Sequence, residues 1–159
     1  MDAELILDAQ NATGESPVWS AREQALYWVD IPAGRLHRWS LADESTQSWK
    51  APQMLACIAR YDNGSGDWIA GMEDGLFRLT PQADGTLSST PLINVEHAQA
   101  GMRFNDGRCD RQGRFWAGTM HLDMAAGHAV GALYRYSAGQ SEPLNAQISG
   151  LTVPNGLAF

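Results

Sequence analysis

The sequence predicts an all-β chain assembled from repeated hairpins, the arrangement of a β-propeller. Three stretches carry the pattern: ALYWVDIPAGRLHRWSL at 25–41, DWIAGMEDGLFRLT at 67–80, and RFWAGTM at 114–120 followed by GALYRYS at 131–137. Each is a strand with an aromatic near its start, a turn with glycine, and a second strand of alternating apolar, aromatic and arginine residues. Trp28 and Trp68 lie 40 positions apart and Trp68 and Trp116 lie 48 apart, the extra length falling in 121–130. Short strands repeating at about 40 to 50 residues are the signature of four-stranded propeller blades. No stretch of about 12 residues or more shows the 3.6-residue period that a helical solenoid needs. A β-sandwich also has short strands at regular spacing, and stays open on the pattern alone.

At that period the 159 residues make about three to four blades, fewer than the count of most closed rings. The chain ends on PNGLAF at 154–159, which reads as a turn and the opening of a further strand. The expectation is therefore one domain over 1–159, the N-terminal part of a longer propeller that is truncated at its C-terminus. Open blade edges would leave unpaired N–H and C=O groups.

Composition narrows the function. With 44% hydrophobic and 18% charged residues the chain can bury a core, and no apolar run approaches the length of a membrane helix. A net charge of −7 with no cluster of Lys and Arg disfavours nucleic acid and anionic membrane as partners. The start MDAELILDAQ is acidic where a secretory signal is basic, which points to the cytoplasm. Cys57 and Cys109 fit two buried free thiols better than a disulfide or a zinc site.

The chemistry falls to oxygen-bearing residues at strand entrances. RFNDGRCDRQGRFWAGTM at 103–120 joins a charged turn, holding Arg103, Asn105, Asp106 and Gly107, to a buried strand beginning at Arg114. GESPVW at 14–19 sets Glu15 at one strand entrance and PNG at 154–156 sets Asn155 at another. In a propeller such entrances converge on one central rim, so a carboxylate and amide oxygens can share a cation. That donor set suits calcium or magnesium better than zinc. His37, His97, His121 and His128 show no spacing for a shared metal and read as surface or loop residues. The six tryptophans, Trp19, Trp28, Trp39, Trp49, Trp68 and Trp116, read as blade core, and Glu73 and Asp74 as a solvated hairpin turn.

GESPVW, ALYWVDI, RFNDGRCDRQGRFWAGTM, GALYRY and PNGLAF, in this order and spacing, resemble the family of regucalcin (senescence marker protein), gluconolactonases, sugar-acid lactonases and luciferin-regenerating enzyme. The resemblance covers essentially the whole chain. It implies a six-bladed propeller with one divalent cation in the central channel, calcium first, with zinc, manganese or magnesium as alternatives. Glu15 and Asn155 then fall on its metal ligands. A further Asp ligand, also the general base, would lie beyond Phe159, which leaves no catalytic residue in this chain. Arg103, Asn105 and Asp123 fall on the residues that hold the sugar lactone, although Asp123 sits in a variable loop and replaces a longer Glu. Arg103 can donate several hydrogen bonds to a lactone oxygen, Asn105 can donate and accept, and a carboxylate can accept from sugar hydroxyls. The implied activity is metal-dependent hydrolysis of a sugar-acid lactone by a monomer. A non-catalytic interaction scaffold and a phosphoester hydrolase are the competing readings.

Overall fold

The computed structural model describes residues 3–159, and every regular element in it is a strand. The first sheet is β1 (Gly14–Ser20), β2 (Ala25–Asp30), β3 (Arg35–Ser40) and β4 (Thr46–Lys50). The second is β5 (Cys57–Arg60), β6 (Trp68–Gly71), β7 (Gly75–Pro81) and β8 (Leu87–Asn94). The third is β9 (Met102–Cys109), β10 (Phe115–His121), β11 (Gly131–Tyr136) and β12 (Ala146–Leu151). Each sheet is a four-stranded antiparallel meander in chain order. The expected blades are therefore three, and no fourth sheet begins within 154–159. Trp28, Trp68 and Trp116 each stand on the second strand of a sheet, which is why their spacing reported the repeat. No helix is long and apolar enough to cross a membrane among the described residues.

The first strands β1, β5 and β9 pack on one another, so the three sheets converge at these inner edges. Alternation buries one set of side chains from each sheet. Val29, Leu36, Leu55, Ile58, Trp68, Leu76, Phe104 and Phe115 form one continuous core between the sheets. Full burial of a side chain the size of Phe104 stabilises the fold by about 1.5–3 kcal/mol. At the outer edge, Lys50 N donates to Gly85 O at 2.8 Å and ties the first sheet to the second.

An acid with a strand side chain as its partner sits in the turn between the first two strands of each sheet. Glu23 pairs with Arg60 and accepts from the Tyr27 hydroxyl. Asp67 pairs with Arg78 and accepts from Thr80 Oγ1 at 2.7 Å. Asp110 accepts from Arg114 Nε at 2.6 Å and Trp116 Nε1 at 2.8 Å.

Several expectations need correction. Arg103, Asn105, Asp106 and Gly107 are not in a turn; they lie within β9, and the hairpin turn is 110–113, closed by Asp110 N donating to Arg114 O at 2.9 Å. The tryptophans are not all core. Trp39 and Trp68 are buried, but Trp19 is 48% exposed because it points away from Val18, the β1 neighbour that packs on the core. The histidines are not all at the surface: His37 sits within β3, half-buried and stacked on Trp28 with ring centroids 5.1 Å apart. Burial there lowers its pKa, against the pull of Asp30. The Glu73 and Asp74 turn divides, Asp74 being exposed while half-buried Glu73 accepts from Met54 N at 3.1 Å. Both cysteines are free; Cys57 is buried, its thiol pushed up to about 12 by desolvation, and Cys109 is half-buried.

Candidate functional site

Two β-bulges shape the meeting point of the inner strands. The β1–β2 register runs from Glu15 opposite Val29 to Val18 opposite Tyr27, so Ser16 and Pro17 together face Trp28. The β9–β10 register runs from Phe104 opposite Thr119 to Gly107 opposite Ala117, so Asn105 and Asp106 together face Gly118. A bulge turns a side chain away from strict alternation and kinks its strand, and such features concentrate beside functional sites. Ser16 takes a φ of +53°, a left-handed conformation uncommon for a residue with a Cβ. The two motifs that carry Glu15 and Asn105 are thus the two places where the inner strands break register.

The bulges open on one small recess. Glu15, Ser16, Asn105, Asp106 and Asn155 line it together with Ile31 and Ala56, and they close in so tightly that it holds no space the size of a water molecule. Residues 15 and 155, at opposite ends of the sequence, therefore line the same recess. The polar side chains of the lining are two carboxylates, two carboxamides and the Ser16 hydroxyl, oxygen-bearing types of the kind hard cations take. No group of three or more His, Cys, Asp and Glu side chains placed to hold a metal occurs among the described residues.

Arg103 lies next to it within β9. It is buried, with Nη1 donating to Phe104 O at 2.7 Å and to Asn105 Oδ1 at 2.9 Å. Its Nε is buried and has no partner. Burial lowers the pKa of the guanidinium, opposed by Cys57, Glu15 and Glu73. A buried cation with a free N–H is costly unless something accepts from it, and Arg103 carries that cost here. Asn105 Nδ2 meanwhile donates to Pro154 O at 3.0 Å.

Asp123 is not among the residues that line the recess. It sits on the exposed loop after β10, where its Oδ1 accepts from Ala126 N at 3.2 Å and its own N donates to His121 Nδ1 at 3.1 Å. The register nevertheless sets the end of β10 beside the start of β9, with Met120 opposite Arg103. On this loop His121 and His128 meet edge to face, ring centroids 4.7 Å apart. Sequence reasoning assigned Asp106 only to a turn. Its carboxylate in fact accepts from Leu157 N at 2.8 Å, a partner 51 positions away that no local pattern reveals.

Comparison with known proteins matches the sequence and the fold to a family. A model of the SMP-30/Gluconolactonase/LRE-like region matches residues 13–159. The chain is 41% identical over 146 residues to a 6-deoxy-6-sulfogluconolactonase of Pseudomonas putida, covering 92% of this chain and 47% of that protein. The solved structure of a luciferin-regenerating enzyme superposes with a TM-score of 0.81 at 26% identity, covering 92% of this chain and 48% of the other. A calcium-binding protein, regucalcin, from Agrobacterium tumefaciens superposes with a TM-score of 0.74 at 25% identity, covering 88% and 44%. The chain spans about half the length of the relatives it matches. Three four-stranded blades, a recess joining the GESP, RFNDG and PNG motifs, and a family match over 13–159 make this chain a member of the SMP-30/gluconolactonase/LRE-like family.

Proposed function

We propose that this chain is the N-terminal half of a six-bladed propeller that hydrolyses a sugar-acid lactone with the help of one divalent cation. The convergence of Glu15, Asn105 and Asn155 on one recess carries the reading. The lactonase relative at 41% identity supports the reaction class, and the calcium-binding relative supports calcium as the cation. Three blades in a chain half as long as its relatives support the six-bladed ring.

In this proposal Glu15 and Asn155 hold the cation, and an Asp of a later blade, beyond Phe159, completes the set and acts as general base. The oxygen donors of the recess fit a hard cation. A bound divalent cation supplies polarisation of a carbonyl and a lowered pKa for water. Arg103, whose Nε is enclosed by the protein and has no partner, donates from its guanidinium to the lactone oxygen. Asn105, fixed by Arg103 Nη1, orients the ring. Asp123 accepts from sugar hydroxyls, which requires its loop to fold over the recess. The partner is a small sugar lactone, and neither nucleic acid nor membrane; the protein works as a monomer in the cytoplasm.

The test is hydrolysis of gluconolactone and a pentonolactone by the full-length protein, with and without chelator. Metal-restorable loss of turnover is expected. Equal rates in excess chelator overturn the role of the cation, and no turnover of either lactone overturns the substrate class.

A further inference from the structure

Asn155 is exposed, and the 154–157 segment belongs to no strand, so no backbone ladder fixes it. Its own Oδ1 accepts only the local Gly156 N at 2.8 Å. Three features of the third sheet nonetheless hold this segment from outside. Leu157 N donates to Asp106 Oδ2 at 2.8 Å, and Pro154 O accepts from Asn105 Nδ2 at 3.0 Å. On the other side of the bulge, Gly118 has no side chain, and a Cβ there would come within 2.6 Å of Pro154 Cβ. The Pro154 ring therefore rests in the space that Gly118 leaves. Beyond, Phe159 lies against Trp116 with centroids 5.9 Å apart.

We infer that the β9–β10 bulge is a seat for the 154–157 segment, in which Asp106 is a positioning residue that sets Asn155 against Glu15. The inference rests on the cation reading of Glu15 and Asn155. It gives Asp106 and Gly118 roles separate from coordination: Asp106 acts through the Leu157 amide, and Gly118 through the space it leaves. The bulge geometry accounts for both, since it places Asn105 and Asp106 opposite Gly118 and sends two neighbouring side chains to the two ends of one short segment. Fixing both ends of a short loop removes the freedom that would otherwise weaken a ligand carried at its middle.

The experiment is calcium binding to the full-length protein by calorimetry, with amide exchange at Leu157 as a second measurement. Asp106→Ala is expected to weaken calcium affinity by about tenfold or more, the range found when a partner of a ligand is removed. Asp106→Asn keeps an oxygen for the Leu157 amide and is expected to stay within about threefold of the native affinity. Gly118→Ala, which displaces Pro154 without touching any oxygen, should weaken binding as Asp106→Ala does. In the native protein the Leu157 amide should be protected from exchange before any metal is added. Native affinity in Asp106→Ala overturns the seat, as does an unprotected Leu157 amide. Asp106→Asn as weak as Asp106→Ala would show the carboxylate acting on the cation by its charge, and also overturns it. Should Asp106→Ala fail to fold, Gly118→Ala and the exchange measurement decide. Absence of calcium binding in the native protein, with Leu157 protected, overturns instead the cation reading on which the seat depends.

Discussion

Ser16 and Ile58 join the first two sheets through a side chain acting where backbone normally would. Ser16 Oγ accepts from Ile58 N at 3.0 Å and lies 3.5 Å from Ile58 O, both groups buried. The hydroxyl thus answers the amide at the start of β5, the strand that the bulged β1 cannot reach by its own ladder. This also fixes the residue after Glu15, so the same hydroxyl that links two blades holds the carboxylate's backbone in place.

Ser16→Ala should therefore destabilise the fold by about 1–3 kcal/mol, the penalty of leaving a buried N–H without a partner. Urea unfolding of the variant measures it. An unchanged midpoint would show that the Ile58 amide finds another acceptor.

Arg103 offers a sharper separation of stability from activity. Truncation to Ala removes two hydrogen bonds from Nη1 but also removes a buried cation whose Nε has no partner, so the two effects on folding oppose each other. Arg103→Ala is expected to lower lactone kcat/KM by about tenfold or more with little change in melting temperature. Arg103→Lys should not rescue it, because a single ammonium cannot hold Asn105 and a lactone oxygen in the same fork. A large loss of stability with a proportionate loss of activity would make Arg103 structural.

Some of this was legible in the sequence and some was not, for physical reasons. Trp28, Trp68 and Trp116 fall on the second strand of successive blades, so aromatic spacing revealed the repeat, although Trp68 is buried and Trp28 and Trp116 are half-buried. The segment around Asn105 and Asp106 looked like a turn because Asn, Asp and Gly are the usual punctuators of loops. Here they lie in β9, where Gly107 packs on Cys57 and the polar pair turns out through a bulge toward the recess. Glu15 and Asn155 were singled out by motif, and both line one recess. The contact of Asp106 with Leu157 was out of reach, since a bond from a strand to an irregular segment 51 positions away leaves no periodicity.

Asp110 gives a pH dependence whose sign follows from its surroundings. Burial raises the pKa of its carboxyl, but hydrogen bonds from Trp116 Nε1, Arg114 and Gln112 outweigh this and hold it at about 2, below the ordinary 3.8. A carboxyl with a depressed folded-state pKa contributes stability above its unfolded value and loses that contribution as pH falls toward the folded value. Between pH of about 4 and 2 the native protein should lose stability that Asp110→Asn never had, so the melting temperatures of the two should converge on acidification. Thermal melts of both across that range are the measurement, and parallel curves would remove Asp110 from the acid transition.

Gly107 tests how tightly the inner strands are packed behind the recess. A Cβ at Gly107 would come within 2.6 Å of Cys57 Sγ and 2.9 Å of Trp116 O, both closer than real side chains approach. The backbone of β9 can retreat only by displacing Asn105 and Asp106, which share its bulge. Gly107→Ala should accordingly destabilise the fold by about 1–3 kcal/mol, as overpacking does. Adding Cys57→Ala removes the sulfur but leaves the Trp116 carbonyl, so the double variant should recover only part of the loss relative to Cys57→Ala alone. Full recovery would mean that the thiol is the sole obstacle and that the β9–β10 ladder yields freely at Trp116. No loss in the single variant would show that the inner strands have room to spare, and that the close approach of Gly107 to Cys57 does not hold β9 in position.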